Sequence, residues 1–204
     1  MAKKIGIGCI VLGVLCLLIS VGFVLFNSYE AQESEKASQT LLQEVQTAID
    51  AAEPAEYIPE ETQPQSAAET APHQMQTVPV GNYDSIGILS IPVLELELPV
   101  LTDWTYAKLK QAPCQYYGSC YGSDFVIAAH NYPSHFGRLS QLQAGDLVIF
   151  TDVTGTAHGY EVVLLETLLP TAIEEMITSG FDLSLYTCTP GGGSRVTVRC
   201  NAVS

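Results

Sequence analysis

Cys188 and Arg195 stand on either side of the stretch "TPGGGS", each at the end of an alternating run. In "LSLYTC", Leu183 and Leu185 share one strand face, and Ser184, Tyr186 and Cys188 share the other. In "RVTVR", Val196 and Val198 face one way, and Arg195, Thr197 and Arg199 face the other. The apolar faces are expected to point to a core, leaving Cys188 and Arg195 together on the wetter side. If the strands pair directly outside the glycine loop, Cys188 lies opposite Arg195, with Cβ atoms about 5 Å apart. Arg199 is then roughly 13 Å further along. A thiolate is a nucleophile that nearby positive charge favours. A guanidinium beside it can hold the oxygen that becomes negative when a carbonyl is attacked. The chemistry suggested is acyl transfer through sulfur. A hairpin with a half-buried Cys and a surface Arg is, taken alone, more often merely structural.

A nucleophilic Cys needs an acid/base partner, most often His. His73 falls in a linker, and His158 in a turn away from the core strands. His130 ends the apolar run "FVIAAH", and His135 follows it. A His where a strand gives way to a loop is well placed to meet a Cys at another strand end.

The elements that must position these residues are short. "SIGILSIPVLELELPVL" contains a half-buried strand with Leu94, Leu96 and Leu98 alternating against Glu95 and Glu97, bounded by Pro92 and Pro99. "DWTYAKLKQAP" has helical spacing through Trp104, Ala107 and Leu109. "DFVIAAH" reads as a buried strand. "FGRLSQLQAGDLVIFTD" reads as a turn, a short helical turn and a strand over 147–151. "TGTAHGY" signals a turn before a strand over 160–165, and "TAIEEMITSG" a short helix ending at Gly180. Many short strands with little helix argue for a mostly β fold closed into a barrel, covering residues 80–204.

Residues 5–26 form an uncharged apolar run preceded by Lys3 and Lys4. About 20 such residues span a bilayer. The run is too long for a usual signal-peptide core, and "FNSYEAQ" lacks a small-residue cleavage site. An uncleaved single-pass anchor is expected, with residues 1–4 cytoplasmic by the positive-inside tendency and the remainder extracellular. Residues 27–79 read as an acidic linker, first weakly helical through Leu41, Leu42, Val45 and Ile49, then rich in Pro, Gln and Glu and semi-extended.

The formal net charge is -14. Residues 80–204 hold twelve acids against Lys108, Lys110, Arg138, Arg195 and Arg199, with no basic stripe, which argues against nucleic-acid binding. Cys9 and Cys16 fall in the membrane run; Cys114, Cys120, Cys188 and Cys200 lie outside, where disulfides are permitted. Two pairs are open to them, Cys114–Cys120 among the options, and no zinc-ligand spacing is evident.

Taken together, four segments resemble the sortase family, the membrane-anchored cysteine transpeptidases of Gram-positive bacteria. "LYTCTP" resembles the signature T-L-x-T-C, and "SRVTVR" the stretch carrying the family's arginine. "FVIAAHNYPSHFGRLSQLQAGDLVIF" resembles I-A-G-H…F-x-x-L…L-x-x-G-D, and "IGILSIPVLELELPV" the first strands. The resemblance implies a closed eight-stranded sortase-like β-barrel with short helices behind an N-terminal transmembrane helix. It implies Cys188 as nucleophile, His130 as acid/base, Arg195 as oxyanion stabiliser and Thr187 as substrate-lining. It implies cleavage of an LPXTG-like sorting signal between Thr and Gly, and transfer of the acyl group to an amine of a cell-wall precursor or a pilin lysine, with no cofactor or metal required.

Ala129 replaces the family's usual Gly before the His. No Asp-Pro-aromatic lid motif occurs in 27–79 and no second apolar segment follows the domain, which weighs against pilus polymerisation. The connection over 168–182 leaves no room for the long helix of class B enzymes, and calcium-binding acids cannot be assigned. Two other readings remain at this point. One is a secreted cysteine peptidase, in which water takes the acyl group. The other is a non-catalytic membrane-tethered binding module, in which Cys188 is half of a disulfide with Cys200 or Cys120.

Overall fold

The computed structural model describes residues 2–51 and 75–203. The expected Pro/Gln/Glu-rich spacer, and His73 within it, lies outside the described residues. Strand β1 (Val78–Val80) is followed by eight more: β2 (Tyr83–Ile91), β3 (Leu96–Leu101), β4 (Cys114–Tyr117), β5 (Phe125–Ala128), β6 (Leu147–Asp152), β7 (Ala157–Leu168), β8 (Leu183–Cys188) and β9 (Arg195–Ala202). Their order is β2-β3-β4-β5-β8-β9-β7-β6, and β6 pairs back onto β2, so eight strands close a barrel. β1 joins only the outer side of β2. The barrel is mixed: β3–β4 and β5–β8 run parallel, the other pairs antiparallel.

Closure happens at Gly87, which pairs with Val100 of β3 and Asp152 of β6. A Cβ there would collide with the Thr151 carbonyl oxygen, so the two backbones can meet only around a glycine. The barrel interior is filled by alternate residues of each strand, among them Leu89, Ile91, Phe125, Ile127, Phe150, Leu185 and Val198.

The stretch with Leu94, Leu96 and Leu98 is not one strand. Residues Pro92–Leu94 form a 3-10 turn, and Glu95 takes a left-handed conformation (φ 51°). The chain there reverses, so β3 returns antiparallel to β2, with Ile91 opposite Leu96 and Leu89 opposite Leu98. Pro92 suits the first position of that turn, where its missing N–H has no partner to lose. Pro99 lies inside β3, opposite Ile88. The first short helix of the domain, α2 (Tyr106–Leu109), starts after its cap Thr105, whose hydroxyl accepts from the Lys108 N–H, so Trp104 lies outside it. β7 begins at Ala157, earlier than its sequence suggests, because the turn before it is confined to 153–156. A last short helix, α3 (Ile173–Ile177), lies against β8 and β9.

Chain order places the longest helix first. α1 (Ala2–Ala51) spans 50 residues, about 75 Å at 1.5 Å per residue. Its apolar side chains from Ile10 to Phe26 are exposed, and it is the one helix among the described residues long and apolar enough to cross a membrane. Further along, Ser34, Ser38, Leu41 and Val45 are buried, a stripe at helical spacing. Leu41 and Val45 pack with Val80, Ile88, Leu101, Ala112, Cys114 and Ala128 on the outside of the barrel wall. The weak helical period in residues 27–51 is therefore a docking face.

Candidate active site

Three neighbouring strands build the site. β8 and β9 pair so that Cys188 lies directly opposite Arg195. Thr189 N–H donates to the Ser194 carbonyl, and the Thr189 hydroxyl and Ser194 N–H also meet, which tightens the glycine turn beyond that pair. Gly191 and Gly192 hold the turn at φ 82° and 74°, conformations that other residues reach only with strain.

On the other side, β5 and β8 run parallel, with Ala128 beside Tyr186. The Ala129 N–H donates to the Tyr186 carbonyl, and the Thr187 hydroxyl donates to the Ala129 carbonyl at 2.8 Å. β5 ends at Ala128, and His130 follows it by two residues at the end of the barrel where Cys188 closes β8. Cys188 and Arg195 thus face each other on adjacent strands, and His130 opens the loop that follows neighbouring β5. Thr187, buried on the opposite face of β8, also lines the hollow beside the sulfur and uses its hydroxyl to lock β8 to the end of β5. That hollow, about 220 Å³, is bordered by Asn131, Phe136, Ser140, Pro190 and Val196.

The loop after His130 is a compact turn. Phe136 N–H donates to the His130 carbonyl, and His135 and Gly137 N–H groups donate to the Tyr132 carbonyl. A Cβ on Gly137 would sit 2.5 Å from the Asn131 carbonyl oxygen, so this turn requires glycine. The Tyr132 ring lies between the two histidines, 5.1 Å from His130 and 5.7 Å from His135. His135 is fully buried, and its Nε2 lies 3.4 Å from the Ser34 hydroxyl of α1. Burial pulls its pKa down to about 4, helped by the neighbouring His130. His135 therefore packs against α1, whereas His130 stands closer to the Glu30–Lys110 pair.

Burial also lowers the His130 pKa, with Glu30 of α1 opposing that shift and Lys110 adding to it. Glu30 and Lys110 form an ion pair at 2.6 Å, so α1 runs close by the histidine. His130 Nε2 is buried without a hydrogen-bond partner among the described residues. The Arg195 guanidinium rests on the Gly192 and Ser194 carbonyl oxygens at 3.3 and 3.2 Å, long contacts that a developing oxyanion can replace.

The expectation of a wet face around Cys188 holds at only one end. Ser184, Thr197 and Arg199 on that face are buried. Arg199, 2% exposed, donates to Glu166, to the Ser184 hydroxyl and to the Glu175 and Met176 carbonyls. The cover is α3 with its flanking loop, which strand alternation alone cannot reveal. Arg199 belongs to the scaffold. His158 is also not in a free turn; it lies in β7 opposite Phe150.

Cys114, Cys120, Cys188 and Cys200 are all free thiols. Cys188 pairs with Arg195 and Cys200 with Leu183, at opposite ends of the hairpin, too far apart for a disulfide. Cys114 points into the cluster beneath α1, whereas Cys120 packs against the barrel interior, so they are not bridged either.

A group missed in the sequence is an aromatic row leading from the site. Tyr186, two residues before Cys188, meets Tyr116 edge-on at 5.3 Å; Tyr116 meets Trp104, and Trp104 meets Tyr106, each at 5.7 Å. Trp104 and Tyr106 are 39% and 74% exposed. The one sequence signal is Tyr186 sharing the face of Cys188; its partners come from two other segments, Tyr116 from β4 and Trp104 and Tyr106 from around the start of α2.

Comparison with known proteins follows the same lines. A family model described as a sortase domain matches residues 89–203, more than half of the chain. A comparison with curated protein sequences gives no match. Among solved structures, sortase A from Corynebacterium diphtheriae is similar with a TM-score of 0.55 and 24% identity, over 60% of this chain and 62% of that one. Sortase C1 from Streptococcus suis gives a TM-score of 0.52 and 29% identity over 59% of this chain and 73% of that one. A Clostridium perfringens sortase D5 transpeptidase gives 0.53 and 19% over 59% and 80%. The chain thus spans less than two thirds of the length of the sortase A chain it matches.

Proposed function

This chain belongs to the sortase family, and on that premise we propose that it is a membrane-anchored cysteine transpeptidase, with residues 80–204 as its catalytic domain. Its substrates are surface proteins bearing an LPXTG-like sorting signal, and its products are those proteins joined to an amine of a cell-wall precursor. The observation that supports the reading best is the direct pairing of Cys188 with Arg195 across β8 and β9, with His130 in the loop just beyond β5, the parallel neighbour of β8.

His130, neutral because it is buried, takes the Cys188 proton as sulfur adds to the threonine carbonyl carbon. Arg195 leaves the Gly192 and Ser194 carbonyls and holds the oxyanion. The Thr–Gly C–N bond breaks, His130 gives the proton to the departing glycine amine, and a thioester remains. An incoming amine attacks that thioester, its proton goes to His130, and the C–S bond breaks to restore the thiol. Thr187 acts through the Ala129 carbonyl to hold β8 to the end of β5 and borders the bound threonine. The aromatic row from Tyr186 to Tyr106 suits the apolar Leu-Pro part of the signal.

Lys3 and Lys4 before the apolar run support a cytoplasmic N-terminus and an extracellular barrel. Glu30 follows Phe26 by one helical turn, about 6 Å, and pairs with Lys110 beside His130. The site therefore opens close to the membrane surface, where a substrate still held by the membrane can reach it.

The test is product analysis. The full chain in detergent is incubated with L-P-x-T-G peptides and an excess of triglycine. A product in which the peptide's threonine is amide-linked to triglycine supports transpeptidation. A free threonine carboxylate as the sole product, at saturating amine, assigns a peptidase instead.

A further inference from the structure

At the opposite end of the barrel, three side chains converge that the proposed chemistry does not use. Cys120, Asp152 and His158 each offer a donor atom, all within 4.8 Å of one another. Cys120 comes from the loop between β4 and β5, Asp152 from the end of β6, and His158 from the start of β7. From the geometry we propose that these three residues bind a zinc ion, with a fourth coordination position open to solvent.

Asp152, 2% exposed, divides its oxygens between two tasks. Oδ1 accepts from the Thr154 N–H, the Thr154 hydroxyl and the Thr156 N–H, which builds the tight β6–β7 turn. Oδ2 points the other way, 3.1 Å from His158 Nε2. Donors bound to one tetrahedral zinc at about 2.0–2.3 Å lie roughly 3.2–3.8 Å apart, so this spacing already suits two ligands of one ion. The thiol must close by about 1 Å or less, within the reach of a loop that has Gly118 and Gly122 beside it.

The other two positions are held from outside, as metal ligands usually are. Tyr121 donates its hydroxyl to Asp152 Oδ2 at 2.9 Å. The His158 ring stands edge-on to Tyr121 at 5.5 Å and near Phe150 at 6.3 Å, which fixes its plane. One sulfur, one imidazole nitrogen and one carboxylate oxygen form a borderline-soft set that suits zinc over calcium or magnesium. The thiol releases its proton to solvent on binding, and the imidazole carries its proton on Nδ1. Cys120 and His158 line an open hollow with Gly122, Asp182 and Ala202 on its rim, where water or a small anion can take the fourth position.

This site is separate from the nucleophile. Leu183, at the Cys120 end of β8, pairs with Phe125 and Cys200, and Cys188 is five residues along, about 16 Å at 3.3 Å per residue. The ion would clamp the β4–β5 loop to the β6–β7 turn and take no part in thioester chemistry.

The experiment is titration of the metal-free full chain, in detergent, with cobalt(II) and then zinc(II). A thiolate-to-cobalt charge-transfer band at one equivalent, displaced by zinc, is expected for the unaltered chain and for Cys188→Ala. Cys120→Ser should abolish the band, and His158→Gln should weaken binding at least tenfold, with unchanged circular dichroism as the folding control. In the unaltered chain, zinc should also protect Cys120 from maleimide, read by peptide mass. A band that survives Cys120→Ser, one lost in Cys188→Ala, or no thiolate band and no protection of Cys120 would each overturn the proposal.

Discussion

Cys188 and Arg195 are direct partners across the β8–β9 ladder, while Arg199 is buried four residues further along. The two arginines share a strand face and do different work. Arg195→Ala should slow acyl-enzyme formation about 10²- to 10³-fold, as loss of an oxyanion donor does, and leave the melting temperature unchanged. Arg199→Ala should instead destabilise the fold by about 1–3 kcal/mol or more, because it leaves the Ser184 hydroxyl and the Met176 carbonyl without their buried donor and the half-exposed Glu166 without its partner. Steady-state kinetics and denaturant unfolding on both variants separate the roles. Equal activity losses at unchanged stability would remove the distinction.

The stability of the barrel should fall on mild acidification, and His135 should be a main cause. Burial holds its pKa to about 4 in the fold, against about 6.5 in the unfolded chain. Above pH 6.5 it is neutral in both states and its contribution is complete. As pH drops below 6.5, only the unfolded chain takes up the proton, so stability declines by about 3 kcal/mol by pH 4 and then levels. Urea unfolding from pH 7.5 to 4 should show this slope, and His135→Gln should flatten it. A variant with the full slope would acquit His135.

The acid limb of activity should lie below the ordinary histidine range. His130 must be neutral to receive the thiol proton, and burial, the leading influence on it, lowers its pKa. A profile of kcat/KM against pH should therefore have its acid midpoint below that of an ordinary imidazole. Replacing Glu30 by Gln removes the charge that opposes the shift, so the limb should move further to acid. A move toward neutral pH would contradict the assignment.

The thiols should differ in reactivity. Burial pushes Cys114, Cys120 and Cys200 each up to about 12. At pH 8, a limiting amount of iodoacetamide should modify Cys188 before any of these three, as read by peptide mapping. Modification of Cys120 or Cys200 ahead of Cys188 would count against a reactive Cys188.

Much of this was legible in the sequence because it rests on period-two alternation and turn chemistry. The hairpin "TCTPGGGSR" fixed which arginine meets the sulfur, whereas the strand in "FVIAAH" stops at Ala128, two residues before His130. What escaped depended on distant partners. Nothing local marks Arg199 as buried, since α3 and Glu166 come from other segments. Leu94–Leu98 alternates like one strand, yet Glu95 turns the chain back at a left-handed position that carries no glycine. His158 looks like a turn residue until β6 and β7 pair and bring it to Asp152. The stripe Ser34, Ser38, Leu41, Val45 was half hidden because two of its four members are polar.

The most direct test of the central claim is the intact mass of the full chain after incubation with a panel of L-P-x-T-G-like peptides. The account predicts an added mass equal to the peptide's acyl fragment through threonine, absent in Cys188→Ala and discharged on adding an amine. Peptide cleavage that persists in Cys188→Ala, or an adduct mapped to another residue, would contradict it.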